Sequence, residues 1–309
     1  MPFLHCAVVS NGLLNASEPM PVEAEGCRLV VFKEKLYCFY LKAPTRVFYV
    51  SKARTGSWSL PEDVGIESSS GLPAVFVFDD KLHVYSSGFD GDAQTYPGTG
   101  ARLAVFNPGN RTFDITTPDA AYGSPSVVAR NGKAYKFARF NSGGRLSVRD
   151  SNDGITWWAR GWIYPRGEGS AIIESPRDPV ACLYQGLIHV FHQATDGLCL
   201  IRYDGQSGWS RSQLLIEKVY PEMPAVVVHD GMLTLAFTNA PNTLDNTLSV
   251  NGIPSEAAMG DDTAESTIDL YRYDGNALSK VDRSININAS GAPDAVVFDG
   301  DLHLVFASV

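Results

Sequence analysis

Proline recurs at one fixed place in this chain. Pro73, Pro125, Pro179, Pro224 and Pro293 each stand nine residues before an aliphatic position, namely Leu82, Ala134, Ile188, Leu233 and Leu302, and Cys27 holds the same place before Leu36. Between the two marks lie β-branched and aromatic runs followed by a turn pair, as in Val75-Phe76-Val77-Phe78 then Asp79-Asp80, or Val296-Val297-Phe298 then Asp299-Gly300. Each of the six copies therefore reads as strand, two-residue turn, strand. A further apolar strand and a Gly turn follow most hairpins (Phe48 to Trp58, Leu103 to Phe113, Leu146 to Trp157, Leu198 to Trp209, Ile268 to Leu278), which makes four strands per unit.

The sixth hairpin ends at Phe306, with no room for its third and fourth strands before Val309. The N-terminus supplies them: Leu4 to Val9, then Asn11-Gly12, then Leu13-Leu14 has the pattern of strand, turn and strand. The aliphatic marks are 46, 52, 54, 45 and 69 residues apart, and passing from Leu302 through the termini to Leu36 takes 43, a normal unit length. A closed repeat of this size, with one unit completed by both chain ends, predicts an all-β fold, a single six-bladed β-propeller over 1–309. The expected blades are 20–64, 65–119, 120–168, 169–217, 218–284, and 285–309 together with 1–19. An open solenoid would need polar capping units instead.

Charge and cysteine content narrow the partners. A net charge of −9, with 25 basic residues scattered singly, argues against nucleic acid, whose phosphates call for a clustered basic surface. Five cysteines (Cys6, Cys27, Cys38, Cys182, Cys199) fall mostly inside strands without metal-ligand spacing, as expected of buried thiols in a reducing compartment. The first residues lack a basic leader and are needed as a strand, so the expectation is a soluble, cytoplasmic protein without a membrane segment. No metal or cofactor is expected. The pairs Asp90/Asp92 and Asp299/Asp301 lack the ligand count of a calcium loop, and no hydrolase elbow, zincin helix, P-loop or dinucleotide fingerprint occurs. Ser151-Asn152-Asp153-Gly154-Ile155-Thr156-Trp157 has the form of an Asp box, placed in a turn between outer strands where its role is structural.

In a propeller the innermost strands begin on the face where the loops joining second and third strands also open, and a binding site collects there. The two long loops, 86–101 and 238–267, fall on that face, and the second is expected to act as a lid. The register names the rim. Before the repeated proline stand Gly26, Leu72, Ser124, Asp178, Met223 and Ala292; after it stand Arg28, Ala74, Ser126, Val180, Ala225 and Asp294. Four residues past the aliphatic mark come Tyr40, Ser86, Ala138, His192, Phe237 and Phe306. These columns do not repeat, unlike His83, His189 and His303, which share one position and read as structural. An apolar pocket with a few convergent polar groups suits a small organic ligand. The unrepeated polar residues Asp178, Glu222 and His192 are the candidate catalytic groups, with Arg28 and Arg177 as donors. Ser124 and Asp294 complete the polar rim, and Tyr40, Leu72, Met223, Phe237 and Phe306 are candidates to hold an apolar substrate.

The runs Pro73 to Tyr85 and Leu200 to Ser210 resemble the fungal and bacterial propellers of the fucose-specific-lectin superfamily. Within that superfamily the chain is most similar to the cytosolic propeller proteins of fungal tropolonic sesquiterpenoid pathways, which act as hetero-Diels–Alderases. The resemblance implies a cofactor-free cycloaddition between a polar tropolone-derived quinone methide and an apolar humulene-type terpene in the central cavity. The lectin alternative implies weak glycan binding at several similar pockets between blades. Lectins of the group repeat an Arg, Glu and Trp set, whereas no column here repeats an Arg/Glu pair and three of the five tryptophans crowd at Trp157, Trp158 and Trp162.

Overall fold

The computed structural model describes residues 2–10, 13–42, 45–68, 71–86, 101–110, 112–117, 122–140, 144–167, 171–205, 208–239, 267–281, 285–286 and 289–308. It is all-β: six sheets of four antiparallel strands form the blades of a propeller. Counted from the axis outward, blade one is Cys27–Phe32, Lys35–Lys42, Arg46–Ala53 and Glu62–Glu67, and the next four blades follow in chain order. Blade five carries one extra short strand, Ile285–Asn286, paired to its third. Blade six joins the two chain ends. Ala289–Phe298 and Asp301–Ser308 are its inner strands, and Phe3–Ser10 and Leu13–Glu23 its outer ones.

All six inner hairpins turn through two residues that both have positive φ: Lys33-Glu34, Asp79-Asp80, Asn131-Gly132, Gln185-Gly186, Asp230-Gly231 and Asp299-Gly300. That conformation matches the right-handed twist of the strands it joins. Gly, Asn and Asp tolerate it best and fill nine of these twelve positions, while Lys33, Glu34 and Gln185 adopt it against their preference. The prolines also have a reason. Pro73, Pro179 and Pro224 directly precede an innermost strand, while Pro125 and Pro293 sit where the register of that strand shifts. The innermost strand is a sheet edge facing the axis, and an edge accepts a residue with no N–H to donate.

The described residues form six apolar cores, one between each neighbouring pair of blades. Strand side chains alternate between the two faces of a blade, so in the second strand of blade one Tyr37 and Phe39 meet blade two while Leu36, Cys38 and Tyr40 meet blade six. The histidine column lies inside these cores. His83 stacks on Phe76 with ring centroids 4.8 Å apart, His189 packs edge-on to Tyr184, and His303 to Phe298. Burial lowers the pKa of all three, that of His83 to about 4. The Asp box is a closed turn between the outer strands of blade three. The Asp153 carboxylate accepts the Ile155 and Thr156 N–H groups at 2.8 and 2.7 Å, and Trp157 is buried between blades two and three.

Candidate functional site

The axis of the ring holds a cavity of about 690 Å³, walled by the beginnings of all six innermost strands. This is the size of site that takes a small organic molecule. Four columns of the repeat line it. Two residues before the proline position stand Glu25, Gly71, Gly123, Arg177, Glu222 and Gly291: three charges and three glycines. The glycines face close neighbours. Gly123 has φ +69°, and a side chain there would run into the Asp178 carboxylate; a Cβ on Gly291, φ +70°, would meet the Glu25 carbonyl. Glycine in this column thus falls on blades two, three and six, where a neighbour is close, and the charges fall on blades one, four and five.

Two residues after the proline position the column is uniform. Leu29, Val75, Val127, Ala181, Val226 and Ala295 ring the cavity with aliphatic side chains. Above this ring the wall is uneven. Arg28, Glu25 and Asp294 make a charged group on blades six and one, and Arg139, Arg177, Asp178 and Glu222 make another on blades three to five. Leu72 and Ala74 of blade two separate them on one side. The lumen thus has a polar, asymmetric mouth over an apolar ring.

Asp178 is held on both oxygens. Ser124 N–H donates to Oδ2 at 2.8 Å and the Arg139 Nε–H to Oδ1 at 2.6 Å, so this carboxylate bridges blades four and three. Asp294 makes the corresponding bridge between blades six and one, its Oδ2 accepting the Leu29 N–H at 2.5 Å. Burial pushes the Asp294 carboxyl above its ordinary pKa, against the opposing pull of Arg28 and the Leu29 N–H. Arg177 and Glu222 are 3.9 Å apart and both half exposed, a loose pair with little energetic consequence.

Eight of the twelve residues singled out from the sequence line the cavity: Arg28, Leu72, Ser124, Arg177, Asp178, Glu222, Met223 and Asp294. The other four do not. His192 is only 3% exposed, its Nε2 lies 3.3 Å from Ser212 Oγ, and burial lowers its pKa to about 4. Tyr40 belongs to the core between blades six and one, where burial pushes its phenol up to about 12. Phe237 stacks on Tyr220 at 4.1 Å between blades four and five, and Phe306 lies in the core between blades five and six. The reason is common to the four. They lie on second strands, one strand spacing of roughly 4.8 Å out from the axis; Tyr40, Phe237 and Phe306 pack into the cores between blades, and His192 is buried against Ser212 of its own blade. The expected lid, 238–267, and the loop 86–101 lie almost wholly outside the described residues.

Sequence reasoning missed Arg139, at the end of the second strand of blade three, and the aliphatic ring. The ring was visible as a column two past the proline, but a uniform aliphatic column reads as core until the strand is known to be the innermost one. Among the described residues no helix is long and apolar enough to cross a membrane.

Fold and cavity together define a six-bladed propeller with an asymmetric axial pocket. No known family profile matches the chain, and no curated protein matches it. Among solved structures, a triple arginine-to-alanine variant of AofleA from Arthrobotrys oligospora is similar with a TM-score of 0.60 and 11% identity, over 98% of this chain and 83% of that one. YjhT gives 0.57 at 11% identity over 94% and 96%, and an α-L-arabinofuranosidase from Clostridium thermocellum gives 0.50 at 15% over 87% and 96%. At such identities the likeness is one of propeller fold.

Proposed function

We propose that this propeller binds small, largely apolar organic reactants in its axial cavity, and that it promotes a hetero-Diels–Alder cycloaddition of a quinone methide with a terpene. The observation that carries this reading is the two-level wall: an aliphatic ring of six residues beneath a mouth whose charges are gathered on two sides. An apolar alkene fits the ring, and a heterodiene rich in oxygen fits the mouth, where Arg28 and Arg177 are the donors that face it. Repeated sugar pockets would instead require a repeated polar set, and the polar columns here differ from blade to blade.

Cycloaddition asks little of a protein beyond placement. Holding two reactants in a near-attack geometry supplies about 7–11 kcal/mol of barrier reduction, and a fixed donor to the heterodiene oxygen adds electrostatic stabilisation. The test combines native mass spectrometry with turnover. Purified protein given a tropolonic quinone-methide precursor and humulene should bind one reactant pair per chain and form the cycloadduct faster and with one stereochemistry. A glycan array showing several fucose equivalents per chain, with no acceleration of the cycloaddition, would overturn the proposal in favour of a lectin.

A further inference from the structure

Two aspartates occupy matching places in the ring, and they are not equivalent. Asp178 stands directly before its proline and Asp294 directly after; each reaches across to accept a backbone N–H of the adjacent blade, from Ser124 and Leu29 respectively. Asp178 then spends its second oxygen on Arg139 at 2.6 Å. For Asp294, no cation among the described residues comes within ion-pair distance. The nearby Arg28 turns its Nη1 to the Cys27 carbonyl at 3.3 Å. One carboxyl is thus fully committed to holding two blades together, and the other has capacity left on the cavity wall.

We infer that Asp294, in its protonated form and with Arg28 beside it, is a further hydrogen-bond donor to a carbonyl oxygen of the ligand, whereas Asp178 is a latch between blades. The inference rests on the proposed use of the cavity and assigns its polar end. A carboxylic acid kept neutral by low-polarity surroundings can donate to a carbonyl that a carboxylate would repel. The surroundings of Asp294 fit. Two residues of the aliphatic ring, Leu29 and Ala295, adjoin it, and burial raises its pKa. With Oδ2 accepting the Leu29 N–H, the proton of the neutral acid is carried by the other oxygen.

The ionisable groups that face Asp294 are few. From the first strand of blade one come Arg28 and Cys27, while Glu25 and Glu222 share the cavity wall with it. Its partners on the second strand of blade six are apolar, Val305 opposite it and Leu304 beside that. Arg28 favours ionisation, as do the Leu29 and Ala295 N–H groups, and burial opposes all three and raises the pKa.

The test uses tropone, a ring ketone with no ionisable hydroxyl, as the probe. Asp294→Asn supplies an amide oxygen for the Leu29 N–H and a permanent N–H donor to the lumen, whereas Asp294→Leu supplies neither. Wild-type affinity for tropone should fall about tenfold as pH rises through the Asp294 titration. The Asn variant should hold the low-pH affinity at every pH, and the Leu variant should bind about tenfold more weakly throughout. An Asn variant as weak as the Leu variant, or a wild-type affinity flat with pH, overturns the inference. A second measurement needs no ligand: the carboxyl carbon resonance of Asp294, assigned by its loss in the Asn variant, should titrate above the exposed aspartates. If it titrates with them the inference fails. If it titrates above them while tropone does not bind, the donor stands and the proposed cycloaddition substrate is what fails.

Discussion

Replacing His83 with Gln should make the protein less stable near neutral pH and more stable in mild acid, so that the two stability curves cross. His83 is 0% exposed and its pKa is lowered to about 4, chiefly by desolvation. In the unfolded chain it returns to about 6.5. Below that value the unfolded state takes up a proton that the folded state refuses, and stability is lost as pH falls from 6.5 toward 4. At pH 4.5 the difference spans roughly two pKa units, and at about 1.36 kcal/mol each the loss from this one residue is about 2.5 kcal/mol. Gln does not titrate, so the variant escapes that loss. At pH 7 it forfeits the stack on Phe76 and the contact of Nδ1 with the Lys81 carbonyl at 3.2 Å, a cost of about 1 kcal/mol. Urea melts at intervals from pH 7.5 to 4.5 would measure both ends. His189, His192 and His303 give wild type and variant the same remaining acid sensitivity. Parallel curves, with the variant below the wild type at every pH, would refute the assignment of His83 as a buried neutral ring.

Gly123→Ala should destabilise the ring by roughly 2 kcal/mol or more, because the residue has φ +69° and its new methyl would press on the Asp178 carboxylate; a thermal midpoint unchanged from wild type would count against the latch between blades three and four. Asp153→Ala removes the acceptor of the Ile155 and Thr156 N–H groups, which water then solvates, for a loss of about 1 kcal/mol. The accompanying readout is a red shift of tryptophan emission as Trp157 loosens, and emission identical to wild type would show the box to be dispensable.

The fold was legible because the marks that define it are local. A turn pair with two positive φ angles and a proline at a sheet edge write themselves into Asp79-Asp80, Asp299-Gly300 and the Pro73 column without help from distant residues. The cavity was legible only in part. The positions flanking the proline placed Arg28, Asp178 and Asp294 on the cavity wall, since the innermost strand has nowhere else to begin. The column containing Tyr40, His192, Phe237 and Phe306 misled because a repeat fixes height along the axis but not distance from it. Side chains at equal height on second strands meet the next blade. The distinction between Asp178 and Asp294 was beyond the sequence altogether, for it depends on Arg139 arriving from another strand.

The closure of blade six also decides where this protein can be handled. Ser308 is paired with both Ala289 and Phe3, and Ala289 begins the strand whose next residues, Gly291 to Asp294, form part of the cavity wall. Phe3 and Ser308 therefore lie at the mouth end of their blade, and an affinity tag or fluorescent fusion joined close to either would stand near the entrance. The inner hairpin turns lie at the far ends of the same strands. A reporter inserted at Asp79-Asp80 would leave the entrance clear, which makes that turn the better attachment point for immobilising the propeller in binding assays.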